Sequence, residues 1–207
     1  MSKLYLLFVV SLLISCTSNE ETKLTGNKTD SLITDWRPRK LKTLNAAETV
    51  AIKFYANYLA NYYNGGGHET PVIGIAADST YYLDTIAHLN FLKKLGCFSS
   101  KYYLNQLELY NACRAELSKM KPGELDGVPE NNCDFMTYMI WTGGQGETLN
   151  TADIYKSTVT DSTVQVVVAI GDSIGKYIYS YPMVELIKEA GEWKISNIIL
   201  SYDKPKN

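Results

Sequence analysis

Four side chains of the types that line ligand sites occur at Tyr58, Tyr62, Asp134 and Trp141. Tyr58 and Tyr62 are one helical turn apart, so they share one side of any helix that contains both. Aromatic walls with a single carboxylate suit a polar or cationic organic ligand. We therefore predict that these residues lie near the mouth of a ligand-binding cup. Their helical spacing is already explained if both tyrosines are core residues, and for each residue taken singly the sequence favours that alternative.

The two histidines, His68 and His88, limit the metal and catalytic options. The sequence has no His-Glu-x-x-His, no Cys-x-x-Cys and no Gly-x-Ser-x-Gly, the patterns of zinc sites and of nucleophilic serines. The acidic loop at residues 126–134 lacks the spacing of a calcium-binding helix-loop-helix. For both histidines the sequence favours an ordinary surface or partly buried role. We predict no catalytic residue, no metal site and no cofactor.

The N-terminus has the pattern of an export signal. Lys3 precedes an apolar run at residues 4–14, which is too short to span a bilayer stably and is typical of a signal peptide. The run ends Leu13-Ile14-Ser15-Cys16 and resembles the lipobox of bacterial lipoproteins, which implies cleavage after residue 15 and lipid attachment at Cys16. Thr17 rather than aspartate follows, and the resemblance to sorting patterns then favours the outer membrane. An ordinary secreted protein is the alternative.

Residues 16–43 are predicted to be the acylated N-terminus and a flexible tether, because they are polar and contain few large apolar side chains. Residues 44–203 are predicted to form one folded domain. An exported domain meets an oxidising environment, in which disulfides persist.

Three further cysteines, Cys97, Cys113 and Cys133, can pair in that environment. If the residues after Cys97 are helical, Cys97 and Cys113 are roughly 20 Å apart along the helix axis and cannot be bonded. Any bridge then includes Cys133. We favour Cys113 to Cys133, which would pin the loop after that helix; three reduced cysteines remain the alternative.

Two kinds of apolar periodicity define the predicted domain. Asn45 and Glu48 form a capping box, and the helix that it opens carries an apolar stripe at Val50, Ala51, Phe54, Tyr55, Tyr58, Leu59 and Tyr62. A second, weaker helical pattern covers residues 83–95 and ends at Gly96. A third helix, capped at Ser99 or Ser100, is predicted to carry Tyr103, Leu104, Leu107, Tyr110, Cys113, Leu117 and Met120 on one face. Residues 155–202 contain short β-rich runs separated by turns, which indicates an antiparallel meander. The predicted fold class is α+β, with helices covering one face of the sheet.

The charge of the chain limits the classes of molecule that it can bind. The net charge is −2 and the basic residues are scattered, which predicts no nucleic-acid partner. The predicted partners are the membrane, through the N-terminal lipid, and a small ligand or an envelope protein. Tyr177, Tyr179 and Tyr181 alternate along one strand and would share an exposed sheet face. That face could support a homodimer or a larger complex.

The order of several short motifs resembles a family of bacterial lipoproteins of unknown function with a cystatin-like, nuclear-transport-factor-two-like fold. The motifs are Phe54-Tyr55, Leu95-Gly96-Cys97-Phe98-Ser99, Cys133-Asp134-Phe135 and Gly191-Glu-Trp193-Lys-Ile195-Ser-Asn-Ile198. The resemblance covers residues 45–201. It implies a curved antiparallel sheet of about four strands wrapped around N-terminal helices, as a cone with a cavity at one end. Members of the wider superfamily include isomerases, dehydratases and plain binding modules, so the fold does not fix the function.

The sequence therefore favours a non-enzymatic, lipid-anchored envelope domain that binds a small ligand or peptide. A protein-interaction or dimerisation module is the second hypothesis, and an isomerase or hydrolase-type enzyme is the third.

Overall fold

The computed structural model describes residues 43–65, 67–121, 123–124, 133, 140–144, 148–160 and 162–205. The predicted signal peptide, Cys16 and residues 16–42 of the predicted tether lie outside the described residues, as does Asp134. Among the described residues, the backbone forms three α-helices and seven strands.

The first helix, α1, spans Ala46–Tyr58 and continues as one π-helical turn, Leu59–Tyr63. It begins at the predicted capping box: the Glu48 amide donates to the Asn45 side chain, and the Asn45 amide donates to the Glu48 carboxylate, each at 2.9 Å. The other oxygen of this buried carboxylate accepts a hydrogen bond from the Ser157 hydroxyl. The residue that caps α1 therefore also ties it to the sheet.

Two more helices follow. Helix α2 spans Ile86–Leu95 and ends at Gly96, whose φ of 67° is the left-handed conformation that glycine adopts readily. Helix α3 spans Ser100–Leu117, and the Ser99 hydroxyl caps it by accepting from the Tyr102 amide.

The strands form two antiparallel sheets. Strands β1, Val72–Ile75, and β2, Tyr81–Asp84, form a hairpin. The larger sheet has five strands: β3 Thr151–Val159, β4 Thr163–Asp172, β5 Tyr177–Ser180, β6 Met183–Glu189 and β7 Glu192–Ile199. Its order is β3-β4-β6-β7, with β5 paired to β4 beyond the end of β6, and the sheet is not closed. The predicted α+β class and antiparallel meander are confirmed, with five strands rather than about four.

The principal core lies between α1 and the five-stranded sheet. Alternate residues of β4 are fully buried, namely Val164, Val166, Val168 and Ile170, as expected for a strand with one face on the core. Helix α1 contacts β3, β4 and β7, and Ala51, Phe54, Tyr55, Tyr58 and Leu59 of its predicted stripe are buried. The sequence-based prediction that α1 covers the sheet is therefore confirmed.

A smaller core lies between α3 and the β1–β2 hairpin. It contains Tyr81, Leu83, Tyr110, Cys113, Leu117 and Cys133. A disulfide joins Cys113 and Cys133, the pairing that the sequence favoured, while Cys97 is a free thiol.

The predicted buried face of α3 was partly wrong. Leu104 and Leu107 are exposed, whereas Tyr102 and Gln106 are buried. The buried stripe of α3 follows Tyr102, which contacts the principal core, and Gln106 fits into it because its side-chain oxygen accepts from the Tyr110 hydroxyl at 3.3 Å. A prediction from the apolar residues alone therefore placed the buried face of α3 part of a helical turn away from its position in the structure.

Residues 97–99 cover one edge of the sheet. Phe98 forms a parallel bridge with Ile195 of β7. The Ser99 amide donates to the Ile195 carbonyl at 2.9 Å, and the Ile195 amide donates to the Cys97 carbonyl at 2.8 Å. The connection between α2 and α3 thus occupies backbone groups that an edge strand would otherwise expose.

The predicted tyrosine face of β5 is not exposed as a unit. Tyr177 is exposed, but Tyr179 is half-buried against the core and Tyr181 is buried, with its ring 5.3 Å from that of Tyr155. Tyr181 is covered because the segment after β7 returns beside it. The Tyr181 amide donates to the Ser201 carbonyl of that segment at 2.6 Å. An interaction surface built on these three side chains is therefore not available.

Candidate functional site

Trp141 and Tyr58, two of the predicted cup residues, meet in the middle of an aromatic cluster. Their ring centroids are 4.9 Å apart, and each residue is 1% exposed. Phe54 lies 5.2 Å and Phe98 5.5 Å from Trp141. These two predicted site residues are therefore in contact, but they are core residues rather than the wall of an open cup.

Trp141 is hydrogen-bonded as well as packed. Its indole nitrogen donates to the Tyr102 hydroxyl at 2.9 Å, and its carbonyl accepts from the Tyr55 hydroxyl at 2.9 Å. Burial raises the pKa of both tyrosine hydroxyls well above the usual value, so both remain neutral donors or acceptors. The cluster thus links α1, α3 and residue 141 through satisfied polar groups.

Tyr62, the third described candidate, lies at the margin of this cluster. It is half-buried, its ring centroid is 4.9 Å from that of Phe91, and the Lys94 ammonium lies 5.7 Å from its ring. A cation already occupies one side of this ring, so Tyr62 is a poor site for the cationic ligand that its residue type suggested.

Both histidines lie against the same cluster. His68 is hydrogen-bonded through Nδ1 to the Tyr58 hydroxyl at 2.9 Å, and its ring is 5.2 Å from that of Trp141. His88 is 2% exposed and donates from Nδ1 to the Glu69 carbonyl at 2.6 Å. The two rings are 6.1 Å apart. His68 is partly buried, as the sequence favoured, whereas His88 is fully buried. The sequence did not predict that the two histidines lie close together.

Burial keeps these histidines neutral. Desolvation, together with the nearby His88, lowers the pKa of His68 from 6.5 to about 4. Desolvation also lowers the pKa of His88, against a smaller opposing effect of its hydrogen bond to the Glu69 carbonyl. Two neutral rings beside Tyr58 are compatible with the core, whereas two imidazolium ions would be costly there.

The histidines predict an acid-sensitive fold. The unfolded chain takes up a proton at His68 below about pH 6.5, while the folded chain does so only near pH 4. The free energy of unfolding is therefore at its full value above pH 6.5 and decreases as the pH falls from 6.5 towards 4. The decrease is on the order of 2 kcal/mol, after allowance for the partial exposure of the His68 ring. We expect His68→Gln to flatten the pH dependence of the urea-unfolding free energy between pH 6.5 and 4. Parallel curves for the variant and the wild type would contradict this.

A surface groove of about 610 Å³ lies outside the cluster. It is formed by one side of α1, by residues 95–97 at the end of α2, and by the β6–β7 turn with the start of β7. We call it the α1–β7 groove. Its apolar floor consists of Val50, Phe54, Leu95, Cys97 and Trp193, and Lys53, Asn57, Glu192 and Lys194 lie at its rim. Its volume is in the range of small-molecule sites.

The rim of the groove is held by a hydrogen-bonded lysine. Lys194 donates from Nζ to the Gly96 carbonyl at 3.1 Å and lies 2.9 Å from the Glu192 carboxylate. Gly96 ends α2, so this contact joins β7 to the C-terminus of that helix. A cation is favourable at a helix C-terminus. The Lys188 ammonium lies 5.3 Å from the Trp193 ring, so a second lysine is associated with the aromatic wall.

Cys97 lies in the groove but is chemically quiet. Burial raises the pKa of its thiol to about 12, with its own amide and Lys194 acting weakly in the opposite direction. Because the thiolate is the nucleophile, such a thiol is a poor one near neutral pH. Cys97 therefore contributes an apolar contact to the floor.

A second groove of about 430 Å³ lies between the end of α1 and the start of β3. Its lining consists of small, aliphatic and amide side chains together with Asp153. The α1–β7 groove offers a larger aromatic surface and charged groups, and is the better candidate for a ligand site.

Sequence patterns did not reveal the α1–β7 groove. Its walls come from three segments that are far apart in the chain. One local signal was present: Trp193 is an aromatic residue between charged ones, directly after a tight turn at Gly191. A large exposed ring at such a position can indicate a contact surface.

Comparison of the chain with protein-family models, with curated proteins and with solved structures finds no match. Within the described part of the chain, no helix is long and apolar enough to cross a membrane. In that same part, no three His, Cys, Asp or Glu side chains are grouped so that they could hold a metal ion.

Proposed function

We propose that this protein is a non-enzymatic, lipid-anchored binding domain of the bacterial envelope, and that it takes up a small ligand in the α1–β7 groove. The observation that carries the proposal is the groove itself. It combines an apolar floor that includes Phe54 and Trp193 with charged groups at its rim, which is the usual composition of a small-molecule site. The sequence predicted a ligand-binding cup at Tyr58 and Trp141, which instead form the aromatic cluster. The proposed ligand site is the groove on the surface.

The titratable groups near the groove and the cluster support a binding role rather than catalysis. The Cys97 thiol is protonated at neutral pH. Both histidines are neutral and are engaged with Tyr58 or the Glu69 carbonyl. A general acid or base is most effective when its pKa is near the working pH, and His68, with a pKa of about 4, does not meet that condition.

The proposed fold family is the cystatin-like, nuclear-transport-factor-two-like cone. Three register shifts support this, between Ile154 and Lys156 of β3, between Ile170 and Gly171 of β4, and between Glu185 and Leu186 of β6. Such irregularities bend strands, and α1 contacts strands β3, β4 and β7 of the same sheet.

The proposed location is the outer membrane, with the lipid on Cys16 and residues 16–43 as the tether. The signal-peptide pattern and the Leu13-Ile14-Ser15-Cys16 motif support it. The Cys113–Cys133 disulfide is also consistent with export, because disulfides persist in oxidising compartments.

Native mass spectrometry tests the binding function. We would use the chain from Thr17 to Asn207, purified gently, which contains every described residue. We expect a discrete excess mass that is lost on denaturation. Ala46→Trp, which fills the groove from an exposed position on α1, should abolish it, whereas Ala56→Trp in the second groove should not. A bare monomer would contradict the proposal, and a bare dimer would favour an interaction module.

A further inference from the structure

The α1–β7 groove is locally basic although the chain is acidic. Lys53 and Lys194 line it and Lys188 lies against its Trp193 wall, whereas Glu192 is the acidic residue among the lining. The carboxylate of the neighbouring Glu189 is used elsewhere, since it accepts from the Ser100 amide at 2.8 Å. The chain as a whole has a net charge of −2. The lining of the groove therefore has a net positive charge, with two lysines and one glutamate.

The lysines are placed to meet an anion at the rim. Lys53 is exposed on α1 and lines the groove together with the buried Phe54. Lys194 is fixed by the Gly96 carbonyl, and its partner Glu192 is 72% exposed in its side chain, so this carboxylate can rotate into solvent. An incoming anion could thus replace Glu192 at Lys194 while it also interacts with Lys53.

The floor accepts an apolar group. Val50, Phe54, Leu95 and Trp193 provide a continuous aliphatic and aromatic surface between α1 and β7. Burying the apolar part of a ligand there gains roughly 25 cal/mol per Å² of apolar area removed from water. Apolar contact supplies affinity, and the lysines then determine which head group is accepted.

We propose that the α1–β7 groove binds an amphipathic anion, with the apolar part on the Phe54–Trp193 floor and the acidic head group at Lys53 and Lys194. This inference rests on the proposed binding function and specifies its ligand class. It is opposite in sign to the cationic ligand suggested by Asp134 and the tyrosines. A cationic head group would instead meet Lys53 and Lys194 in the lining of this groove.

Three probes that share one alkyl chain test the charge preference: decanoate, decanol and decyltrimethylammonium. Binding to the Thr17 to Asn207 chain is measured by isothermal titration calorimetry below the concentrations at which micelles form. We expect decanoate to bind about tenfold more tightly than decyltrimethylammonium, with decanol intermediate. Equal binding of all three, or tighter binding of the cation, would overturn the inference.

Charge reversal locates the head group. Lys53→Glu should weaken decanoate binding about tenfold and should strengthen decyltrimethylammonium binding. Lys119→Glu is the matched control, because it changes the net charge equally on an exposed lysine that contacts Glu116 at the end of α3. If both variants weaken decanoate binding to the same extent, the effect is one of overall charge and the inference is wrong.

The groove-filling variant separates the two proposals. If Ala46→Trp abolishes binding of decanol or of the cation while decanoate fails to bind the wild type, the groove binds ligands but the anion preference is wrong. If no probe binds and no excess mass is found, the binding function itself fails.

Co-sedimentation with vesicles that contain phosphatidylglycerol identifies the source of the anion. If the wild type binds the vesicles and Ala46→Trp does not, the anion is a membrane lipid. If decanoate binds but the vesicles do not, the anion is a freely diffusing ligand.

Discussion

Trp141→Ala is expected to lower the free energy of unfolding by roughly 4 kcal/mol, the largest effect of any single substitution considered. The indole is 1% exposed and contacts aromatic rings from α1, α2 and the residues that follow α2. Its removal leaves a cavity and deprives the buried Tyr102 hydroxyl of its partner. Urea unfolding followed by circular dichroism measures the change.

Trp193→Ala is the matched control, because it removes the same side chain from a half-buried position at the groove. We expect it to lower the free energy of unfolding by about 1 kcal/mol or less. Trp141→Phe keeps a ring but removes the indole donor, and should lie between the two. If Trp141→Ala were no more destabilising than Trp193→Ala, the aromatic cluster would not be the centre of the core.

Removing the Cys113–Cys133 disulfide is expected to lower the free energy of unfolding by about 3 kcal/mol, from the chain entropy of the loop that it closes. The bridge spans 20 residues of sequence and lies in the smaller core between α3 and the β1–β2 hairpin. Among the described residues, the other buried members of that core are Tyr81, Leu83, Tyr110 and Leu117. The double variant Cys113→Ala/Cys133→Ala and the wild type are compared by urea unfolding without reducing agent.

Cys97→Ala serves as the control, because it removes the free thiol and leaves the bridge in place. It should change stability by less than the double variant. A thiol titration of the denatured, non-reduced chain from Thr17 should find one free thiol. Finding three would show that the bridge is absent.

Local signals predicted the elements that depend on local chemistry. The Asn45–Glu48 capping box fixed the start of α1, and its apolar stripe is the face that packs on the sheet. The short β-rich runs between turns predicted antiparallel strands in the last third of the chain, and the structure has strands there. In each case neighbouring residues determine the hydrogen bonds or the burial, so a single sequence contains the information.

Features that depend on distant segments were missed. His68 is in a glycine-rich loop, and only the fold brings it to Trp141 and His88. The β1–β2 hairpin was at most a short edge strand in the sequence, because Gly74 weakens the strand pattern; in the structure the Tyr82 ring packs over this glycine. The α1–β7 groove likewise exists only once three segments meet. Residue types near a predicted mouth could not show that Tyr58 and Trp141 would fill the space themselves.

The covered edge of β7 affects how copies of this protein behave when many are held on one surface. Under the proposed lipid anchoring, copies would move in two dimensions and collide often, and sheet edges with free backbone groups could then pair between neighbours. Residues 97–99 pair with the β7 edge at Ile195, and a bulge at Tyr155 followed by Lys156 interrupts the opposite edge on β3. Both features disfavour strand addition. These two edges of the five-stranded sheet are therefore poor templates for pairing with a strand of another copy.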